Sequence, residues 1–262
     1  MTDQRRIIIA GINGRLAKAS AQAIIASGDC ELVGGFGRKN AVYVGEEIPG
    51  TDIPIAPDLE SIDVEADILL ELSSHYSAVN HAKAALERGM RFVIGTSGLS
   101  AKDISDLSAL VKKKKTGSMI VPNFSIGAVL MMEFAKSAAK HFQNVEIVET
   151  HQPHKLDAPS GTASHTLRKI AENKKEYNPK VVDDKELMPG ARGARHESGV
   201  RVHSLRLPGL ISRQEVIFGS RGELLTINHD SFNTDCFIKG ILMSLRTVQS
   251  LDGLVVGLET LL

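Results

Sequence analysis

The chain lacks an excess of charge of either sign, with Lys plus Arg and Asp plus Glu both numbering 31 in 262 residues. Nothing in that balance points to nucleic acid, a membrane surface or a polyanionic partner, so any anion specificity must be local. Cysteine is scarce as well. Cys30 and Cys236 lie far apart without metal-ligand spacing, which argues against a disulfide-stapled secreted scaffold and for free thiols in a reducing compartment. Long apolar runs are also missing: MTDQRRIIIAG leads straight into a three-isoleucine strand, too short for a signal-peptide core, and no run reaches membrane-spanning length. The expected address is the cytoplasm. There is no internal repeat and no low-complexity linker. A content of 42% hydrophobic and 24% charged residues can bury a full core in one large or two modest domains.

What is present divides the chain in two. Strand-like runs at residues 6–10, 31–36, 66–72, 91–94 and 118–121 alternate with helical patterns near 14–27, 77–88 and 101–115. Strands spaced by helices read as crossovers of a parallel, doubly wound sheet. After Pro122 an apolar helix over about 126–141 precedes a strand at 145–150, a polar loop and a helix near 162–173. A Gly/Arg-rich stretch at 188–199 reads as mobile, and runs at 201–207, 214–218 and 224–229 read as antiparallel strands. The fold expected is α/β, a Rossmann-like dinucleotide-binding domain over 1–122 followed by an α+β domain over 123–230. The segment 231–262, with a helix at about 235–249, is expected to pack back on the first domain.

The segment IIIAGINGRLAKA puts Gly11 and Gly14 between a buried-type strand and a helix start. Gly11 permits the tight turn, and the helix N-terminus offers unpaired N–H groups to a pyrophosphate. The three-glycine fingerprint is incomplete, with Asn13 and Ala17 where glycines would complete it, and a tight strand-to-helix connection alone also uses two glycines. The second strand ends in GGFGRKN. Gly37 stands where an NAD site usually carries an acid for the ribose hydroxyls, and Arg38 and Lys39 follow; an exposed basic turn is the plain alternative. Beside the preceding strand–helix–strand unit, the pattern favours NADPH or use of both NADPH and NADH.

Residues 146–163 read EIVETHQPHKLDAPSGTA. His151, His154 and Lys155 follow a strand directly, with Asp157 two residues on, which gathers proton donors around one small ligand. Ser160, Gly161 and Thr162 then open a helix whose first N–H groups can grip a carboxylate. A helix start, a lysine and histidines suit a compact dianion. The plain alternatives are a simple helix cap and a solvated loop. A metal is not expected, because the histidines fit no usual zinc spacing and no cysteine joins them.

This segment resembles the signature of the dihydrodipicolinate reductases, a Glu-x-His strand end followed by Lys-x-Asp-x-Pro-Ser-Gly-Thr-Ala, and the resemblance extends over essentially the whole chain. It implies that Gly11, Ile12, Asn13, Gly14, Arg15 and Leu16 form the cofactor turn, joined by Gly37 and Arg38. Gly95, Thr96 and Ser97 of the GTSG run resemble the family's nicotinamide-side loop. Val121, Pro122, Asn123 and Phe124 resemble the stretch where cofactor and substrate domains meet. By the same resemblance His151 is the acid/base near the reacting ring and Lys155 a proton donor and substrate contact. Gly161 and Thr162, with Ser160 assisting, bind a substrate carboxylate. Gln152 and Pro153 depart from the family, which commonly has a histidine and a basic residue there; Gln152 can still hydrogen-bond a carboxylate but cannot become a cation. The implied activity is NAD(P)H-dependent reduction of a cyclic dicarboxylate in lysine synthesis, by a homotetramer.

Two other readings compete. Another two-domain NAD(P)-dependent dehydrogenase of amino-acid metabolism would share the first half without needing the 151–162 cluster. A non-catalytic NAD(P)-sensing protein would have little use for Lys155. The run Lys112 to Lys115 is read as cations opposing a helix dipole, not as a nucleic-acid contact.

Overall fold

The apolar runs of the first half lie side by side in a single parallel sheet. The computed structural model describes residues 4–173, 176–182 and 185–262. In chain order the elements are β1 (Arg5–Ala10), α1 (Arg15–Ala26), β2 (Cys30–Phe36), β3 (Ile68–Glu71), α2 (His75–Glu87), β4 (Arg91–Ile94), α3 (Ala101–Lys114) and β5 (Gly117–Ile120). There follow α4 (Ile126–Ala138), β6 (Asn144–His151), α5 (Gly161–Ala171), β7 (Ala194–Arg195), β8 (Arg201–Arg206), β9 (Ser212–Ser220), β10 (Glu223–Ser231), α6 (Asp235–Thr247) and β11 (Gly253–Val256). Two compact units result, one ending at Ile126 and completed by Phe237–Leu262, the other Gly127–Cys236.

In the first unit the six-stranded sheet runs β11-β5-β4-β3-β1-β2, and every pairing is parallel. The chain winds outward from β1 to β2, then returns to β3 on the other side of β1. That reversal opens a crevice at the carboxyl ends of β1 and β3, the place where such sheets bind ligands. The strands are buried on both faces, as the unbroken runs Ile7, Ile8, Ile9 and Ile68, Leu69, Leu70 require. α3 is closed at its start by a reciprocal Ser100–Asp103 capping box, and Lys112, Lys113 and Lys114 occupy its last turn, where cations oppose the dipole. Arg246 of α6 holds Asp29 through Nε and Nη2 at 2.8 and 3.0 Å. β11, which the sequence reading did not separate from the C-terminal helix, pairs with β5 and completes the sheet.

The second unit carries a five-stranded mixed sheet in the order β10-β9-β6-β8-β7. Its core gathers Ile147, Val202, Val216 and Phe218 from the sheet with Ala163, Leu167 and Ile170 from α5. One expectation is corrected: β9 and β10 are antiparallel, but β8 pairs parallel to β6. The helical crossover through α5 brings the chain back in the same direction, which a run of turn-separated strands conceals. The 188–199 stretch, expected to be mobile, carries β7 and is held by Glu186, which accepts from Gly190 N at 2.7 Å and Arg192 N at 3.3 Å.

Candidate active site

In the first unit, the crevice at the sheet's reversal point is a cavity of about 780 Å³ lined by Gly11, Asn13, Gly14, Gly37, Arg38, Lys39, Tyr43, Asp58, Leu72, Ser73, Ser77 and His81 among others. Gly11 has a φ of +74°, and a Cβ there would sit 2.8 Å from Ser73 Cα, so only glycine brings the backbone this close to the end of β3. The N-cap of α1 is Gly14, which has no side chain to satisfy the first-turn N–H groups. They stay open to an anion. Ser74, the N-cap of α2, likewise makes no side-chain cap bond.

The expected cofactor residues do not all reach this cavity. Ile12 is buried, and its N–H is already given to Phe36 O at 3.2 Å; Arg15 and Leu16 are not among the lining residues. Gly95 and Phe124 are brought together, since a Cβ at Gly95 would collide with the Phe124 ring and lie 2.7 Å from Leu72 Cδ2. Thr96 Oγ1 is buried without a hydrogen-bond partner, while Ser97 and Pro122 are exposed. Val121 is buried, and Asn123 Oδ1 accepts from Ser125 N at 2.8 Å. The glycine cradle, the open helix starts and the orphaned Thr96 oxygen fit a dinucleotide.

Several residues of this cavity are not marked by the sequence, Asp58, Ser73, Ser77 and His81 among them. Asp58, brought in from the long loop after β2, lies 3.5 Å from Lys39 Nζ. Its carboxyl is held below the usual range mainly by the Ser61 hydroxyl, against burial and with help from Lys39. An acid thus enters the cavity wall, already paired with one of the two cations. Ser73, Ser77 and His81 face the cavity, and behind them Glu71, fully buried at the end of β3, accepts from Ser73 N at 2.7 Å and has His81 Nδ1 2.6 Å away.

In the second unit, β6 ends in a carboxylate–histidine pair. Strand alternation puts Glu149 and His151 on one face, and His151 Nδ1 lies 2.5 Å from Glu149 Oε2. Burial pushes the Glu149 carboxyl up, but hydrogen bonds from His151 and Ser204 and the nearby Arg206 outweigh it and hold the group below the usual carboxylate range. Arg206, in register with His151, places Nη1 and Nη2 each 3.1 Å from Glu149 Oε1. Lys155 Nζ donates to Asp157 Oδ1 at 2.8 Å. The main-chain carbonyl of Gln152 accepts the Lys155 backbone N–H at 3.1 Å, and His154 is exposed.

Ser160 is a buried cap: its Oγ accepts from Ala163 N at 3.1 Å and its N–H reaches Glu149 Oε1 at 3.3 Å. Gly161 is exposed, with open space where a Cβ would stand, and Thr162 is half-buried. Among the described residues no group of three His, Cys, Asp or Glu side chains is arranged to hold a metal, and no helix is long and apolar enough to cross a membrane.

A parallel sheet with a glycine-lined crevice, and a mixed sheet bearing a carboxylate-held histidine and a lysine, define a nicotinamide-dinucleotide-dependent oxidoreductase. The chain belongs to the dihydrodipicolinate reductase family: residues 5–124 match the family's N-terminus and residues 127–262 its C-terminus. The family is NAD(P)H-dependent. Curated 4-hydroxy-tetrahydrodipicolinate reductases from Bacillus cereus and Bacillus thuringiensis are each 42% identical, over 98% and 99% of both chains respectively. A dipicolinate-bound dihydrodipicolinate reductase from Paenisporosarcina sp. TG-14 is 36% identical, with a TM-score of 0.87 covering 99% of this chain and 100% of that one. An amine dehydrogenase from Mycobacterium smegmatis, 13% identical with a TM-score of 0.64 over 98% of this chain and 96% of its own, shares the fold alone.

Proposed function

We propose that the chain reduces 4-hydroxy-tetrahydrodipicolinate to tetrahydrodipicolinate with NADPH or NADH, in the diaminopimelate route to lysine. The observation that carries the assignment of roles is the Glu149–His151 pair, followed within one loop by Lys155 and by the helix start at Ser160. The name and dipicolinate ligand of the Paenisporosarcina relative support a planar dicarboxylate as the bound form.

Residues up to about 122 would hold the dinucleotide: Gly11 leaves room for the pyrophosphate, the first turn of α1 after Gly14 would offer it open N–H groups, Arg38 would meet a 2′-phosphate, and Thr96 would offer the unpartnered Oγ1. When bound, the nicotinamide supplies a hydride to the substrate ring. The chain's own residues bind the carboxylates at Gly161 and Thr162, orient the ring, and deliver the proton. The hydroxylated substrate loses water to give a cyclic diene; the hydride's electron pair forms a ring C–H bond, and one proton from His151 or Lys155 completes the adjacent enamine carbon. The protonated donor is then restored from solvent.

The same reading includes a cytoplasmic enzyme, supported by the free thiols Cys30 and Cys236, and a homotetramer, supported by the exposed Leu205, Leu224 and Leu225 on the second unit's strands. Steady-state oxidation of NADPH with enzymatically generated substrate tests the activity, and light scattering tests the assembly. No turnover with either nicotinamide would overturn the reading.

A further inference from the structure

One side chain ties the whole site loop together, and it is not one that meets a ligand. Glu149 is fully buried. Its Oε2 lies 2.5 Å from His151 Nδ1 and 3.2 Å from Arg206 Nη1, and its Oε1 accepts from both Arg206 nitrogens at 3.1 Å and from Ser160 N at 3.3 Å. Arg206 Nη2 also donates to Asp157 O at 2.7 Å. The last residue of β6, the cap of α5 and the loop between them therefore converge on one carboxylate and its arginine.

We propose that Glu149, with Arg206, is the positioning unit of the site: it fixes the imidazole proton of His151 on Nδ1 and leaves Nε2 as the atom that exchanges a proton with the substrate. The proposal rests on the reading of His151 as an acid/base group. Its chemistry follows from valence. An ionised carboxylate has only acceptors, so the proton between Glu149 and His151 belongs to Nδ1. Arg206 satisfies the remaining lone pairs and keeps that charge in place. Because Ser160 N binds the same carboxylate, the unit also fixes where the helix start stands relative to the imidazole.

Glu149→Gln is the sharp test, since the two side chains have the same shape. Arg206 will claim the amide oxygen, turning the amide N–H₂ toward Nδ1, which then becomes an acceptor and sends the proton to Nε2. The expected result is a folded protein with an unchanged KM for NADPH, a kcat lowered by about a hundredfold, and a His151 ¹⁵N signature switched from the Nδ1–H to the Nε2–H tautomer. Glu149→Asp, which keeps the charge, should recover part of the rate. A folded Glu149→Gln protein with kcat within threefold of wild type overturns the proposal. So does an Nε2–H tautomer of His151 in the wild-type protein, a measurement that decides the matter even if the variant does not fold. His151→Gln is assayed alongside: loss of rate there without loss in Glu149→Gln removes only the positioning unit, whereas wild-type rate in His151→Gln removes the acid/base reading together with it.

Discussion

Both units place a fully buried glutamate at or near the end of a strand and set a histidine Nδ1 against it, Glu71 with His81 in the first and Glu149 with His151 in the second. The surroundings then differ. Around Glu71 the other donor is Ser73, the adjacent helix α2 has no side-chain cap, and Gly11 and Gly37 hollow out a cavity of about 780 Å³. Around Glu149 an arginine fork closes the carboxylate, and α5 is capped by Ser160 Oγ. On the proposed function, the same carboxylate–imidazole pair would stand beside a long phosphate-bearing ligand where helix starts and glycines are left open, and beside a compact dianion where the loop is cinched and carries a lysine.

The comparison breaks most severely at Lys155. Lys155→Ala should leave NADPH binding intact, because that cavity belongs to the first unit, while turnover falls on the order of a hundredfold or more, as loss of a positioned acid does. Stopped-flow turnover with a fluorescence titration of NADPH checks both halves; near-wild-type turnover removes Lys155 from the chemistry.

Gly11→Ala is the converse. Its Cβ would lie 2.8 Å from Ser73 Cα at a φ of +74°, which costs about 1–3 kcal/mol in strain and narrows the pyrophosphate turn. NADPH affinity should fall while pyridine-2,6-dicarboxylate binding to the second unit persists, as calorimetry of each ligand will read. Equal loss of both ligands would mean that the whole fold, and not the turn, had failed.

A smaller effect is expected at Arg38. On the proposed reading, with Lys39 beside Asp58, Arg38 on the cavity wall would meet the 2′-phosphate. Arg38→Ala should raise the KM for NADPH about tenfold and that for NADH much less. Equal changes for the two cofactors would make the basic pair a surface turn. Installing an acid at Gly37 to favour NADH, the obvious move from the sequence, meets the Tyr43 ring, whose Oη would lie 2.7 Å from the new Cβ. That variant should lose affinity for both cofactors until Tyr43 is trimmed.

The smallest effect is a pH dependence. The folded Glu149 carboxyl is held below its ordinary value of 4.5, so its contribution to stability is present above that value and is lost as pH falls through the lowered folded value. Glu149→Gln should flatten the acid side of the second unit's stability curve and leave the neutral side's slope alone, as urea titrations between about pH 3 and 7 will read.

Much of this was legible because it is local. The glycine turn after β1 and the run from His151 to Thr162 are contiguous, and strand alternation alone already sets Glu149 and His151 on one face, a signal that the Glu-x-His spacing contained but that was not read as a pair. Arg206, Asp58 and His81 were not legible. Each reaches its partner across a loop or a crossover, and nothing local marks a side chain for a contact made that far along the chain.

Residue types and short spacings determined the parallel sheet and the glycine turn after β1, because hydrophobic period and helix-start chemistry act within a few residues, while the family showed itself through the resemblance of the contiguous 146–163 segment. Only the tertiary structure decided that β8 runs parallel to β6, that β11 closes the first sheet, and that Glu149 meets Arg206. Strand pairing is a long-range choice among many edges of similar local preference, and it is resolved only when burial and hydrogen-bond satisfaction of the whole unit are settled together.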